Sequence, residues 1–397
     1  MPPTIPMLTY DPLDPATLAD PHPVLAALRE ATPVFWHEGM RTWVLTRHAD
    51  CVAVLRDYAL FARDRRRMGA EVPELSLSVQ SLDPPHQAPV RSLFMTALHA
   101  QDLTAIELRA RALLAARFGR LTGGGEFDVM AEVAAPLSIA VISDLLGVDE
   151  PDHSSFAQVS DAIMRSMDGG LDSSVVEPGR IARQELSALV ESWFRTSGRP
   201  GLLSHVREHA RQGTGAGLDL FVRNTARVMF QGGYSTMVAA IGNAVHTLLH
   251  NPHALQQMRD QDLLRTGVDE LVRYDGPVQG TSRIATETCE IGGVTVTEGE
   301  TVTVLFAAAN HDPAQFPDPG RLLPGRSPNR HLGYGWGTHA CIGTMPAQMA
   351  LRALVASLLE HPAPLNAAAE PRRRRTATMR AFDVLPAVFR PELGVHR

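Results

Sequence analysis

The stretch HLGYGWGTHACIG, residues 331–343, decides how this chain is interpreted. Glycines stand on both sides of Cys341, and PAQMALRALVASLLEH, an apolar run typical of a helix, begins at Pro346. Glycine permits positive φ and lets a backbone approach a flat ligand closely. The dipole and free N–H groups at a helix start shift a neighbouring thiol toward the thiolate. The segment therefore predicts either a ligand-binding thiolate or a buried structural cysteine in a glycine-rich turn.

The composition of the 397 residues limits the class of protein. Hydrophobic residues make up 44% of the chain, which suits a packed interior rather than disorder. The net charge of −6 gives no basic surplus for nucleic-acid binding. No stretch approaches the ~20 apolar residues of a membrane span, and the first residues lack a secretory signal, so we expect a cytoplasmic protein. Three cysteines, Cys51, Cys289 and Cys341, do not make a disulfide framework.

The apolar periodicity predicts a mainly α fold. Apolar residues recur at three- and four-residue spacing in LADPHPVLAALREA, LTAIELRARALLAARFGRL and RIARQELSALVESWFR, and the longest candidate helix runs from about Leu218 to His250. Strand patterns are few: TWVLTR, CEIGGVTVTEGETVTVLF, which reads as a hairpin with glycine turns, and AFDVLPAVF near the end. No repeat or linker interrupts the chain, so we expect a single domain over residues 1–397 with small β-sheets.

A thiolate is one of the few axial ligands that proteins give to haem iron, and its electron donation favours O–O cleavage. The segment around Cys341 resembles the haem-binding loop of the cytochrome P-450 family, in which aromatic-Gly-x-Gly-x-His-x-Cys-x-Gly surrounds the iron ligand. Six ordered positions match that pattern: Tyr334, Gly335, Gly337, His339, Cys341 and Gly343. Tyr334 stands where Phe is usual, and its hydroxyl needs a partner. The resemblance covers nearly the whole chain and implies a helical bundle with small β-sheets enclosing haem b.

Glu270 and Arg273 lie in a predicted helix, VDELVRY. Positions i and i+3 share a helix face, so the carboxylate and the guanidinium can pair. Taken alone, such a pair is more often a surface salt bridge that contributes little stability. The resemblance implies instead a buried structural pair, joined by the downstream Arg321, which holds the cysteine loop against the helical core.

Haem propionates need cations, and the planar fork of Arg suits a carboxylate. The resemblance assigns propionate contacts to Arg283, to His339 in the cysteine loop and to Arg91. The histidine that usually stands four residues before this last arginine is replaced by Gln87. His86 lies one position away, so either one propionate contact is weakened or His86 compensates from the adjacent position.

The segment VMFQGGYSTMVAAIGNAV is expected to cross the oxygen side of the haem. Two adjacent glycines within a helix cost roughly 1 kcal/mol each relative to Ala, which points to a packing or functional reason. Gly232, Gly233 and Thr236 match the family pattern, in which the missing side chains open a groove for dioxygen and substrate. Ser235 stands where Asp or Glu is usual, and Ser carries no charge. Proton delivery then runs through Thr236 and water, or hydroxylation is not the main reaction.

The resemblance also implies a mostly apolar substrate pocket, lined by the loop over residues 68–82 and by several single positions. The side chains expected to line it are Phe230, Gly233, Val278, Gln279, Thr281, Met379 and Phe382, with contributions from Met164 and Met167. Two arginine clusters, ARDRRR at residues 62–67 and RRRR at residues 372–375, are interpreted as solvated faces. A weaker hypothesis gives some of these arginines a role in docking an acidic electron donor.

The resemblance implies a haem-thiolate monooxygenase that inserts one oxygen atom of O2 into a small organic substrate, in the biosynthesis of a specialised metabolite. Electrons would come from NAD(P)H through a separate ferredoxin and ferredoxin reductase. One alternative keeps the haem site but runs coupling, cyclisation, desaturation or peroxide-driven oxidation, because Ser235 replaces the usual acid. Another is a non-catalytic docking module, against which the retained Cys341, Glu270, Arg273 and Arg283 argue.

Overall fold

The computed structural model describes residues 10–196, 198–213 and 218–390. Fourteen α-helices in these residues provide most of the regular structure. They are α1 (Pro15–Ala19), α2 (His22–Ala31), α3 (His48–Arg56), α4 (Gln87–His99), α5 (Leu103–Leu121), α6 (Ala135–Leu146), α7 (His153–Arg165), α8 (Val176–Thr196), α9 (Leu202–Gly213), α10 (Leu218–His250), α11 (Pro252–Gln257), α12 (Gln261–Asp275), α13 (Phe306–Ala309) and α14 (Thr344–Glu360).

Twelve short strands lie in the same part of the chain. They are β1 (Val34–His37), β2 (Thr42–Leu45), β3 (Phe61–Ala62), β4 (Phe127–Asp128), β5 (Gly280–Ala285), β6 (Cys289–Ile291), β7 (Val294–Val296), β8 (Thr301–Leu305), β9 (Leu365–Ala367), β10 (Arg372–Arg373), β11 (Phe382–Val384) and β12 (Pro386–Phe389). The largest sheet has the order β1-β2-β8-β5-β3, in which only the β2–β8 pair is parallel. The smaller sheets are β4-β12-β9, β10-β11 and β6-β7.

The long helix α10 runs through the centre of the helical part. It packs against α4, α6, α7, α8, α9, α12 and α14. Buried apolar residues occur on several of its sides, as expected for a helix enclosed by others. The prediction of a mainly α fold with small sheets is confirmed, and the predicted span of the longest helix agrees with α10. No helix in the described ranges is long and apolar enough to cross a membrane.

Aspartate side chains fix the starts of two helices that frame the site. The Asp102 carboxylate accepts from the N–H of Ala105 at 3.0 Å, at the start of α5. The Asp260 carboxylate accepts from the N–H groups of Asp262 and Leu263 at 2.9 and 3.2 Å, at the start of α12. These caps satisfy backbone donors that have no partner within the helix. The register of α12, which carries Glu270 and Arg273, is therefore set locally.

Two strand predictions differ from the structure. In CEIGGVTVTEGETVTVLF only β6 and β7 form the hairpin, around Gly292 and Gly293 with φ of 56° and 82°. The third piece, β8, leaves the hairpin and pairs with β2 and β5, because its apolar residues alternate toward the core of the larger sheet. The tail AFDVLPAVF is two strands rather than one. The N–H of Leu385 donates to Asp128 at 2.8 Å instead of continuing β11, and β12 then joins a different sheet.

Candidate active site

The loop before α14 positions Cys341 through contacts that require glycine. The N–H of Cys341 donates to the carbonyl oxygen of Tyr334 at 2.8 Å. Gly335 and Gly337 have φ of 68° and 72°, in the left-handed region. A Cβ at residue 337 would lie 2.4 Å from the carbonyl oxygen of Leu55 on α3, so the loop backbone packs directly on that helix. These glycines let the loop turn tightly and present its cysteine.

The Cys341 side chain keeps accessible surface just before Gly343, the N-cap of α14. Protein atoms nevertheless crowd round the sulfur, and this burial raises the pKa of the Cys341 thiol. The Gly343 N–H, the Thr344 hydroxyl and the Arg91 guanidinium each act in the opposite direction, because they stabilise a negative sulfur. The arrangement provides an accessible sulfur ligand whose charge would be balanced from the start of a helix and from α4.

Tyr334 occupies the aromatic position of the loop, with its ring 5.5 Å from that of His331. Its hydroxyl oxygen is buried and has no hydrogen-bond partner among the described residues. Burial raises the pKa of Tyr334 far above its usual range, and the nearby Asp269 carboxylate raises it further. The side chain is therefore a neutral phenol, and the partner that the sequence requires for its hydroxyl is not found in the described part of the chain.

Glu270 and Arg273 form a fully buried, two-pronged ion pair on α12, with Nε to Oε2 at 2.7 Å and Nη2 to Oε1 at 2.8 Å. The third member is Arg326, whose Nε lies 3.1 Å from Oε1 and 3.2 Å from Oε2 of the same carboxylate. The expectation for Arg321 is wrong: its side chain is 71% exposed and pairs with Asp318 at 3.7 Å. Only its backbone takes part, accepting from Arg273 Nη2 at 3.2 Å.

This network connects α12 to the segment that leads into the cysteine loop. Arg273 Nη1 donates to the carbonyl oxygens of Asn310 and Pro319, both at 2.9 Å. The Asn310 side chain in turn accepts from the N–H of Leu332 at 2.7 Å, inside the loop. A buried carboxylate that meets two guanidiniums in good geometry is costly to break. The geometry therefore agrees with a structural role rather than a chemical one.

Two of the predicted propionate-binding residues are cations without an acidic partner. Arg283 is 3% exposed, and its Nη1 donates to Thr281 Oγ1 at 3.3 Å and to the Ser282 carbonyl at 2.9 Å. Burial lowers the pKa of Arg283 to about 9, and the nearby guanidinium of Arg63 lowers it as well. Arg91 is half-buried, with no hydrogen bond or ion pair to any described residue. Cations left in this way are suited to bind an anionic ligand.

The predicted histidine contacts are not formed as expected. His339 is buried, with Nε2 at 2.8 Å from Asp83 Oδ1 and Nδ1 at 3.3 Å from Gln87 Nε2. The expectation that His86 compensates is wrong, because His86 is exposed at the start of α4 while Gln87 points into the protein. Helix periodicity explains the difference: Gln87 lies one helical turn before Arg91 and shares its face, whereas His86 lies outside it.

On α10, both hydroxyls of the oxygen-side motif donate back to the helix. Thr236 Oγ1 donates to the Gly232 carbonyl at 2.6 Å, and Ser235 Oγ donates to the Gln231 carbonyl at 2.8 Å. A Cβ on Gly232 would meet no atom within 4 Å, so this glycine does leave open space. A Cβ on Gly233 would lie 2.6 Å from Ile142 Cδ1 on α6. Gly233 is therefore a packing glycine, and the expectation that it lines the pocket is wrong.

Some of the predicted pocket residues do come together. Met164, Ala239 and Met379 form a small apolar cluster against which Val278 packs, and Val278 and Met379 are joined by a β-bridge. Ala239 lies three residues after Thr236 on α10. Asp168 supports this region: its carboxylate accepts from the N–H groups of Ala377 and Thr378 at 2.7 and 2.9 Å. The Thr378 hydroxyl donates to the same carboxylate at 2.6 Å.

Other predicted pocket residues lie elsewhere. Phe230 is wholly buried between Phe156 and Trp193, with ring centroids at 4.9 and 4.5 Å, so it belongs to the aromatic core. The Thr281 hydroxyl accepts a hydrogen bond from Arg283 at 3.3 Å. Phe382 is buried against His246 and under Arg373, and Met167 is 48% exposed on the outside. The Gln279 amide donates to the Gly276 carbonyl at 2.9 Å, and Gln279 lines a separate depression near α1.

The arginine clusters are less solvated than predicted. All four arginines of RRRR lie within 4 Å of a carboxylate. Arg373 donates to Asp275 and Arg374 donates to Asp383, both at 3.0 Å, while the pairs of the exposed Arg372 and Arg375 are long, at 3.9 and 3.8 Å. In ARDRRR, Arg63 points inward while Arg65 is exposed. The site residues that sequence reasoning missed are Arg63, Asp83 and Arg326. In the sequence, only their charge marks Arg63 and Arg326 as candidate site residues. Asp83 is marked only by its position before two prolines.

The residues present fit a haem group. Cys341 offers an accessible sulfur on a loop that turns tightly at Gly335 and Gly337. Arg91 and Arg283 are the cations that would hold carboxylate groups of that ring, since neither has an acidic partner in the described ranges. On α10, the space beside Gly232 leaves room for a small molecule next to Thr236. An accessible cysteine sulfur, cations without an ion pair among the described residues and an open helix face are together what a haem-thiolate site requires.

Comparison with known proteins agrees with this geometry. A family model described as Cytochrome P450 matches residues 202–362. The chain is 32% identical to the cytochrome P450 monooxygenase PikC of Streptomyces venezuelae, over 86% of this chain and 84% of that protein. It is 31% identical to 6-deoxyerythronolide B hydroxylase of Saccharopolyspora erythraea, over 83% and 86%. The structure of epothilone B-bound cytochrome P450epoK superposes with a TM-score of 0.85 at 25% identity, covering 96% of this chain and 100% of that one. The chain therefore belongs to the cytochrome P450 family.

Proposed function

We propose that this cytochrome P450 monooxygenase binds haem b with Cys341 as the iron ligand and inserts one oxygen atom into a small organic substrate. The observation that carries the proposal is the accessible sulfur of Cys341 at the start of α14, near the guanidinium of Arg91, which forms no ion pair with any residue that the structure describes. A structural cysteine would be enclosed without a neighbouring cation. Arg283 supplies a second unpaired charge in the site. These groups would hold a ring that carries two carboxylates and coordinates a sulfur ligand.

When bound, haem supplies the activation of dioxygen by two electrons. The chain's own residues contribute proton handling on α10. The Thr236 hydroxyl proton is directed at the Gly232 carbonyl, which leaves the lone pairs of Oγ1 free to accept from a water in the open space beside that glycine. Ser235 directs its own proton to the Gln231 carbonyl and carries no charge. The proton path proposed here therefore runs through the Thr236 hydroxyl and water, without a carboxylate at residue 235.

The substrate is proposed to be a specialised metabolite that contacts the cluster of Met164, Ala239, Val278 and Met379. These side chains are apolar and adjoin α10 close to Thr236. Relatives of this chain are named after the oxidation of 6-deoxyerythronolide B and after binding of epothilone B. Those two compounds are therefore the first probes to use. The electrons are proposed to come from NAD(P)H through a ferredoxin reductase and a ferredoxin.

A cytoplasmic location and a single domain over residues 1–397 complete the proposal. All three cysteines are free thiols in the structure, as is usual in a reducing compartment. Coupling, cyclisation, desaturation and peroxide-driven oxidation are not favoured, because the relatives described above are named as a monooxygenase and a hydroxylase. The docking-module alternative is not favoured either, since the site keeps its cysteine, its ion pair and its unpaired arginines.

The test compares the wild-type chain with Cys341→Ser, both produced with haem supplied. We expect the wild type, reduced and treated with carbon monoxide, to show the absorption band from which the family takes its name, and Cys341→Ser to lack it. Titration of 6-deoxyerythronolide B and epothilone B against the Soret band then reports binding. Turnover under isotopically labelled dioxygen should place one labelled atom in the product. A colourless wild type, or a turnover product without label, would contradict the proposal.

A further inference from the structure

Arg63, which the sequence places in a solvated charge cluster, lies against the buried Arg283. The Nη1 atoms of the two side chains donate to the same oxygen, Thr281 Oγ1, at 3.2 Å for Arg63 and 3.3 Å for Arg283. Burial lowers the pKa of Arg63 to about 10, and burial together with the charge of Arg63 lowers the pKa of Arg283 to about 9. Neither forms an ion pair with an acidic side chain in residues 10–196, 198–213 and 218–390. Two like charges held together in this way require an anion.

Asp83 is the carboxylate nearest to this pair, and its oxygens are already used. Oδ2 accepts from the backbone N–H groups of Arg63 and Asp64 at 2.9 and 3.0 Å, and from Arg67 Nη1 at 3.3 Å. Oδ1 accepts from His339 Nε2 at 2.8 Å. The Asp83 carboxylate thus holds the backbone of Arg63 rather than its guanidinium. Its charge stabilises both guanidiniums and is also shared with Arg67, so a single carboxylate stands against several cations.

His339 has no donor left for an added ligand. Gln87 Nε2 donates to the Thr338 carbonyl at 3.0 Å, which fixes the orientation of that amide because a carbonyl only accepts. The same Nε2 lies 3.3 Å from His339 Nδ1, so this ring nitrogen is an acceptor. The ring proton is then on Nε2, where it is donated to Asp83. Both ring nitrogens are therefore engaged inside the protein.

We infer that Arg63 and Arg283 together bind one carboxylate group of the haem, and that His339 is a positioning residue that acts through Asp83. The inference rests on the proposed function, because it assigns this chain's own residues to the ring that the proposal places beside Cys341. Arg63 thereby supplies the second cation that the sequence assigned to His339. The chain Gln87–His339–Asp83 fixes the backbone of Arg63, which presents its guanidinium next to that of Arg283.

The test measures how fast holoprotein gives up its haem to an excess of apomyoglobin, followed by the Soret band. We expect Arg63→Gln to transfer haem about tenfold to a hundredfold faster than the wild type, because one charge-assisted hydrogen bond is lost. Arg63→Lys should fall between the two, since it keeps the charge but not the fork. Arg65→Gln is the matched control in the same turn, with an exposed side chain, and should leave the rate unchanged.

A second measurement replaces haem by its dimethyl ester, in which both carboxylates are esterified. With this probe, wild type and Arg63→Gln should lose the pigment at equal rates, because the anion that Arg63 binds is gone. A rate difference that persists with the ester, or a wild-type transfer rate for Arg63→Gln with haem, would overturn the inference. Far-ultraviolet circular dichroism of each variant checks the fold. A wild type that binds haem with the expected carbon monoxide spectrum separates failure of this inference from failure of the proposed function.

Discussion

Arg326 Nε lies 3.1 Å from the Glu270 carboxylate, at the place in the ion-pair network that the sequence assigns to Arg321. Both arginines follow Pro317 in a proline- and glycine-rich segment, so the sequence alone does not show which of them is buried. Arg326 is 9% exposed and also donates to the Pro317 carbonyl at 2.8 Å, while the side chain of Arg321 reaches solvent. The third member of the network is therefore Arg326, five residues after the arginine expected from the sequence.

Replacement of Arg326 by Gln should destabilise the protein by about 3–5 kcal/mol, because it leaves the buried Glu270 carboxylate with one guanidinium less. Arg321→Gln is the matched control and should change the free energy of unfolding by less than about 0.5 kcal/mol, as an exposed substitution. Urea unfolding followed by circular dichroism measures both. Equal effects of the two substitutions would show that Arg326 does not belong to the network.

Replacement of Tyr334 by Phe should raise the free energy of unfolding by about 1 kcal/mol. The Tyr334 hydroxyl is buried without a partner among the described residues, and an unsatisfied buried polar group costs about 1–3 kcal/mol. Thermal unfolding of the haem-loaded protein is the measurement. A lower midpoint for Tyr334→Phe would mean that the hydroxyl gains more from its surroundings than its burial costs.

The two adjacent glycines of α10 should respond differently to alanine. A Cβ at residue 233 would lie 2.6 Å from Ile142 Cδ1, so Gly233→Ala should destabilise the protein by about 1–3 kcal/mol through overpacking. A Cβ at residue 232 meets nothing within 4 Å, and Gly232→Ala should be neutral or stabilise by up to about 1 kcal/mol through helix propensity. Urea unfolding distinguishes them. The reverse order would contradict the packing role of Gly233.

Under the proposed function, Thr236→Ala should leave haem binding unchanged but raise severalfold the share of NAD(P)H electrons that appear as hydrogen peroxide. The substitution removes the hydroxyl that is bonded to the carbonyl of Gly232, the glycine that leaves open space. Ser235→Ala is the control, because Ser235 is buried and its hydroxyl is bonded to the carbonyl of Gln231 rather than to that of Gly232. Peroxide and product are measured per NAD(P)H consumed. Equal uncoupling in both variants would show that position 236 has no special role.

The stability of the protein should fall as the pH decreases from about 6.5 to about 4, in part through two stacked histidines. Burial lowers the pKa of His22 to about 4 and that of His311 to about 3, and their ring centroids are 3.7 Å apart. Below about pH 6.5 each of these histidines is protonated in the unfolded state but not in the folded state. Each therefore contributes about 1.4 kcal/mol per pH unit to the slope of the free energy of unfolding against pH in this range.

The double variant His22→Gln and His311→Gln should reduce this slope, and His86→Gln, an exposed histidine, should leave it unchanged. The measurement is urea unfolding at several pH values between 4 and 7. A slope that is the same in the double variant and the wild type would exclude the histidine pair as its source.

The parts of the fold that follow local rules could be predicted. The apolar periodicity of α10, the glycine turn between β6 and β7, and the glycines of the cysteine loop are each set by residues near in sequence. The positions that failed depend on contacts between distant segments. The sequence predicts that Phe230 lines the pocket, but in the structure its ring is enclosed by those of Phe156 and Trp193. Neither aromatic partner is close to it in sequence.

The polar part of the site was hardest to predict, because charge alone does not tell which way a side chain points. Arg63 and Arg65 are two residues apart and carry the same charge. Asp83 holds the backbone of Arg63, so that the Arg63 side chain points inward, whereas the Arg65 side chain is exposed to solvent. His86 and Gln87 differ by one position on α4, and that step of about 100° around the helix axis decides which of them meets His339.

The three hydrogen bonds of Asp168 link the segment after α7 to the turn just before Met379. A displacement of α7 that widens the apolar cluster must therefore either carry the turn with it or break all three bonds. The segments that carry Met164 and Met379 are therefore connected through these hydrogen bonds, although more than two hundred positions separate them along the chain. The width of the cluster thus depends in part on one carboxylate that is not a member of it.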